Sequence, residues 1–164
     1  MGLLDEIEAM APRLRRVALV LTGDMAAADD LVAHTIHRAL ARRHHLRDDG
    51  PIAGWMWRAL MKRHRDCDRR RGAHLVLVDA GAAVAAEDGP DAEAVAVRAA
   101  VARLPVDARQ ALALTVIDGQ GLAEAAATLG LTEDALVARL ARARSALGRL
   151  TGGAAAPAPR QGKA

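Results

Sequence analysis

The chain has 164 residues, 52% of them apolar, yet its only aromatic residues are two Trp, and its formal charge is +3. Ala, Leu and Arg favour helices, while strands draw on β-branched and aromatic clusters, so composition points to an all-α protein and away from sheet-based enzymes. One cysteine, Cys67, excludes an internal disulfide, and the opening Leu3-Leu4-Asp5-Glu6 has no basic and apolar leader. No apolar run approaches the roughly 18 residues of a membrane span, so a soluble, cytoplasmic chain is expected.

Along the chain, Leu14, Val17, Ala18 and Leu21 recur at helical spacing, and Thr22-Gly23 ends that first helix. Asp24 is placed to cap a second helix running to about His45, with Leu31, Thr35, Ala39 and Leu40 inward. Asp48-Asp49-Gly50-Pro51 breaks the chain. A third helix carries the apolar stripe Ile52, Trp55, Met56, Ala59 and Leu60 before the sequence turns basic. Three such helices can bury one shared aliphatic core, whereas each alone is marginal. From Arg38 to Arg71 there are 11 Lys or Arg against 4 acidic residues. Such a block fits either a polyanionic partner or a solvated helix face.

Gly72 to Pro90 is rich in Ala and Gly and reads as a linker, with one apolar run, Leu75 to Val78, expected to dock on a neighbouring module. Four helices follow, at about Asp91 to Leu104, Asp107 to Ile117, Leu122 to Leu129 and Glu133 to Leu150. Asp107 and Gln110 have capping-box spacing. The Gly, Ala and Pro of the tail from Thr151 have too little to bury, so disorder is expected there. The resulting divisions are 1–71, a linker at 72–90, 91–150, and a tail at 151–164.

Gly121 to Leu147 is the most informative stretch. Gly130 can take the left-handed conformation that ends a helix, Leu131 can plug the turn, and Thr132 can cap the next helix. Ala125 and Ala126 are small where two helices would cross, Leu136 and Leu140 face inward, and Arg139, Arg142 and Arg144 make a basic side. The pattern fits a helix-turn-helix seating a recognition helix in the major groove, and also a plain helical hairpin.

Leu129-Gly130-Leu131, Leu136, Arg139-Leu140 and Arg142-Ala143-Arg144 resemble the end of region 4 of the extracytoplasmic-function (ECF) sigma factors. Leu104-Pro105, Arg109-Gln110 and the run to Asp118-Gly119 resemble its start. Leu21-Thr22-Gly23-Asp24, Asp29-Asp30-Leu31-Val32 and Arg38-Ala39 resemble the first half of region 2. Trp55, Met56-Trp57-Arg58-Ala59-Leu60, then Asp66 and Arg69-Arg70-Arg71, resemble its promoter-facing helix. The likeness runs from Leu14 to Leu147 in the family's order.

That resemblance implies two helical modules, a three-helix region 2 and a four-helix region 4, that direct core RNA polymerase to promoter DNA. It implies a surface for the β′ clamp helices at Asp30, Val32, Ala33, His34, His37 and Arg38. Trp57, Arg58, Lys62, Arg63, Arg65, Arg69 and Arg70 would face the minus-ten strands, and Thr132, Glu133, Ala135, Arg139 and Arg142 the minus-thirty-five element. Region 4 would also bind the β flap, and an anti-sigma factor is the expected regulator. The chain departs from the family's pattern at Ala33-His34, where Gln and an acidic residue are usual, at Lys62, where Asn is usual, and at Glu133-Asp134, which are usually uncharged.

Base stacking needs a flat surface. Trp55 lies on the apolar stripe and is expected in the core; Trp57 points elsewhere and fits either a base stacker or an interface tryptophan. Asp30, His34 and His37 share a helical face, but the sequence offers no second acidic-His helix to close a metal site; His64 and Cys67 likewise lack partners. No phosphate loop or nucleophile elbow appears, so no cofactor and no enzymatic activity are expected. Three other readings remain: a sigma mimic that titrates an anti-sigma factor, a simple helix-turn-helix regulator, and a metal-dependent helical enzyme.

Overall fold

The computed structural model describes residues 2–42, 44, 52–75 and 92–151. Among these, all regular structure is helical. The elements are α1 (Leu3–Thr22), α2 (Met25–Ala41), α3 (Ile52–Leu75), α4 (Ala92–Ala102), α5 (Val106–Leu112) continued by a π-helical turn (Ala113–Ile117), α6 (Leu122–Leu129) and α7 (Glu133–Leu150). No described helix is long and apolar enough to cross a membrane.

Helix α1 buries Ile7, Met10, Leu14, Val17, Ala18 and Leu21 along one face. It stops at Gly23, whose φ of 70° is the left-handed conformation that glycine adopts without steric cost, and the Gly23 amide bonds to Leu19 O at 2.8 Å. Asp24 then caps α2 as expected, accepting from the Ala27 amide at 2.8 Å. Replacing Asp24 by Ala is expected to cost about 1 kcal/mol; an unchanged urea midpoint would contradict this. Thr35, fully buried in α2, satisfies its hydroxyl by donating to Leu31 O at 2.9 Å. Helix α2 ends at Ala41, short of the expected His45, and α3 runs to Leu75, past the Gly72 at which the linker was expected to begin. The apolar run beyond Leu75, the remaining linker residues and the tail after Thr151 lie outside the described residues.

Helix α3 carries two buried stripes. Ile52, Met56 and Leu60 repeat every fourth residue, and Trp57, Met61 and His64 form a second line one position on. Of the two tryptophans, the one expected in the core is the less buried. Trp55 is half-buried at the edge of the core, and Trp57 is 1% exposed. The apolar stripe identified one buried face, but this helix has two.

In the second module Ala100 and Leu104 lead into α5, which is capped by Pro105 and not by Asp107. Asp107 sits in the first turn, where its charge suits the positive end of the helix dipole. Gln110 is therefore free of the expected capping box, and its amide is spent elsewhere. The π turn closes with the Asp118 amide on Ala113 O, five residues back, at 3.0 Å, and Gly119 follows at φ 76°. Ala125 and Ala126 of α6 are buried, as are Leu136, Leu140, Ala143 and Leu147 of α7. The buried residues of the two modules form one continuous cluster, so the modules are docked.

Candidate polymerase and nucleic-acid interface

On α2, Asp30, Ala33 and His37 are exposed, and His34 and Arg38 are half-buried. Val32 is not part of this surface: at 8% exposed it faces the core and supports the others from behind. Partial burial, then the charges of Arg63, Arg38 and His37, hold His34 below the ordinary histidine range, so it is neutral at pH 7. The surface is thus polar, with a single carboxylate, Asp30; the neighbouring Asp29 is taken up by Arg15 at 2.7 Å.

The basic face belongs to α3. Arg58, Lys62, Arg65 and Arg69 follow at steps of four, three and four, which lines them along one side of the helix. Arg58, Lys62, Arg69 and Arg70 are exposed, while Arg63 and Arg65 are half-buried. Among the described residues only Arg69 of the stripe forms an ion pair, a loose one to Asp66 at 3.6 Å. A row of cations at one-turn intervals can follow a phosphate backbone. Trp57 lies off this row and is buried, with the Arg13 guanidinium 5.8 Å above its ring. In this arrangement it cannot stack on a base.

The helix-turn-helix forms as its local signals require. Gly130 takes φ 68° and ψ 38°; its amide bonds to Ala127 O at 3.3 Å and that of Leu131 to Ala126 O at 2.9 Å, the double closure that ends a helix at a left-handed glycine. Thr132 accepts from the Ala135 amide at 3.2 Å and starts α7. Thr132, Glu133, Ala135 and Arg142 are exposed. Arg139 is half-buried and leans on Asp107 at 3.8 Å, so Arg142 is the freer cation of the two. Glu133 and Asp134 occupy the first turn, favourable for the helix dipole and unfavourable beside phosphate.

A third group of residues, none of them named as a site residue from the sequence, closes the junction between the modules. Arg13 of α1 grips Asp118 with two bonds, Nε to Oδ1 at 2.9 Å and Nη2 to Oδ2 at 2.8 Å, and the Asp118 side chain is wholly buried. Gln120 adds a bond to Asp118 Oδ2 at 2.9 Å. Arg109 of α5 donates to Leu21 O at 2.7 Å, to Leu104 O at 3.2 Å and to Asp68 at 3.3 Å. Gln110 donates to Met61 O at 2.8 Å. In the sequence Gln110 carried only capping-box spacing with Asp107. Its partner, 49 residues away, left no local mark. Among the described residues no three His, Cys, Asp or Glu side chains come together as a metal site.

The family model for the sigma2 domain of PhyR matches residues 7–61, and that for sigma-70 region 4 matches residues 94–147. The ECF RNA polymerase sigma factor EcfG of Rhodopseudomonas palustris is 34% identical over 153 residues, which span 91% of this chain and 84% of EcfG. The chain belongs to the ECF sigma factors. The sigma factor RpoE, in complex with the anti-sigma factor NepR from Bartonella quintana, superposes with a TM-score of 0.69 at 25% identity, covering 90% of this sigma factor and 95% of that chain. The PhyRSL–NepR complex from Sphingomonas sp. Fr1 is similar in fold, with a TM-score of 0.62 at 22% identity over 100% of this chain and 98% of the other. As an ECF sigma factor, the protein is a transcription initiation factor with a DNA-binding region 4.

Proposed function

We propose that this sigma factor holds core polymerase through the α2 surface around Asp30, Ala33, His34, His37 and Arg38, which would meet the β′ clamp helices, and through region 4, which would meet the β flap. The Arg58–Lys62–Arg65–Arg69 row, in which Arg69 alone has an ion pair among the described residues, carries the promoter side of the reading. Its cations would hold the separated minus-ten strands with Arg63 and Arg70 beside them, while Thr132, Glu133, Ala135, Arg139 and Arg142 meet the minus-thirty-five element. Region 2 would extend over 1–71 and region 4 over 91–150, joined by 72–90, with 151–164 a tail. The task is non-catalytic and cytoplasmic, and an anti-sigma factor is the natural regulator.

Single-round transcription with core polymerase and a promoter library tests this. A transcript that depends on the protein is expected, and Arg58→Glu combined with Lys62→Glu should reduce it at least tenfold at low salt with helicity unchanged, the loss shrinking as salt rises because the variant makes fewer phosphate contacts. No protein-dependent transcript from any template would refute the reading.

A second reading has its own support. The match to the PhyR sigma2 domain, together with Ala33-His34 and the acidic start of α7, fits a sigma mimic that occupies an anti-sigma factor without reaching promoters. Capture by core polymerase separates the two, because a mimic fails to bind it.

A further inference from the structure

The contact of α5 with α1 and α3 is completed by only one protonation state of a buried histidine. Leu21 O, near the end of α1, accepts from Arg109 Nη1 at 2.7 Å and lies 3.2 Å from His64 Nε2. On the other side of the ring, Gln110 Nε2 lies 3.2 Å from His64 Nδ1 while donating to Met61 O at 2.8 Å. The network assigns the tautomer: Nε2–H donates to Leu21, and Nδ1 accepts the second amide hydrogen of Gln110. His64 is 4% exposed and Gln110 is fully buried, so both bonds are shielded from bulk solvent.

A second proton, on Nδ1, sets two donors against each other. Turning the Gln110 amide over offers Oε1 to the imidazolium, but it also points that oxygen at Met61 O and loses the bond there. The charged surroundings oppose the proton as well. Arg109 faces the ring from α5, and Arg63, Asp68 and Arg71 of α3 with Asp30 of α2 line the same small cavity, of about 170 Å³. Burial foremost, then Arg109 and more weakly Arg71, outweigh Asp68 and the Leu21 carbonyl and hold the imidazole at about 4 against an ordinary 6.5.

We propose that His64 and Gln110 form an acid-released latch between the modules, in which protonation of the imidazole breaks the junction and lets region 4 leave region 2. Above pH 6.5 the ring is neutral in both arrangements and the latch is at full strength. As the pH falls from 6.5 toward 4, the open form takes up a proton that the closed form refuses. From pH 7.5 to 5.0 the open-to-closed ratio should rise about 30-fold. The latch does not rest on the promoter reading, since only the separation of the modules is measured.

The test uses the full chain with Cys67→Ser and a donor–acceptor dye pair at Ala26→Cys on α2 and Ala127→Cys on α6, both exposed positions. Energy transfer is followed from pH 7.5 to 5.0, with helicity as the control for folding. The pair should separate on acidification at constant helicity. His64→Gln, whose amide can still donate to Leu21 O, should reduce the 30-fold change to less than threefold. A dye distance unaltered at pH 5.0, or an equal change in His64→Gln, overturns the latch. Should His64→Gln be open at both pH values, the ring-proton resonance of His64 in the His64-containing chain decides: it must titrate together with the distance change, and titration without separation overturns the proposal.

Discussion

Arg13→Ala is expected to destabilise the docked pair by about 2–4 kcal/mol, more than any exposed substitution on the proposed binding faces would. Both oxygens of the buried Asp118 carboxylate accept from this one guanidinium, at 2.9 and 2.8 Å, and among the described residues Gln120 is its one additional side-chain partner. Removing Arg13 leaves a carboxylate in the interior with one amide donor, and breaking one side of a buried ion pair typically costs about 3–5 kcal/mol. Arg13 itself is 43% exposed, which lets water reach part of the gap and lowers the figure. Asp118→Asn in the Arg13→Ala background should restore part of the loss, because a neutral amide no longer needs the cation. Urea unfolding, followed both by helicity and by inter-module energy transfer, reads the change. A loss below about 0.5 kcal/mol, or a double variant no better than the single one, would show that the pair is solvated in practice.

Trp57→Ala is the second large effect, at about 3–5 kcal/mol. The ring is 1% exposed in a continuous core, so truncation leaves a cavity the size of an indole that the surrounding helices can only partly collapse into. Trp55→Ala, at the half-buried edge, should cost less than half of that. Comparing the two by urea midpoint checks the assignment directly, and equal costs would mean that the two rings share the core. The same measurement bears on function. A stacking role for Trp57 requires the packing around it to open first, so a variant that undocks the modules, such as Arg13→Ala, should also shift the tryptophan emission to longer wavelength.

These two predictions concern residues whose roles no local signal announced, whereas much of the rest was readable. The stop at Gly23, the cap at Asp24, the turn at Gly130 and the cap at Thr132 all stand where their residue types placed them, because each is settled within one turn of the chain. Small Ala125 and Ala126 with inward Leu136 and Leu140 likewise followed from helical period. Errors arose where a polar or aromatic residue found a distant partner. Gln110 looked like half of a capping box and is a strut to Met61; Trp57 lay off the main apolar stripe and is buried; Val32 resembled a surface position and faces the core.

By itself, then, the amino-acid sequence determined the helices, the caps at Asp24 and Thr132, the helix-turn-helix and the family, since these depend on contacts between near neighbours or on motifs read in order. Tertiary structure alone decided that the two modules dock, that α3 has two buried faces, and that Arg13, His64, Arg109, Gln110 and Asp118 hold the junction. The physical reason is separation along the chain. Arg13 and Asp118 are 105 residues apart, and His64 and Gln110 46, so neither pair can be recognised until folding brings a donor to an acceptor that burial has removed from water.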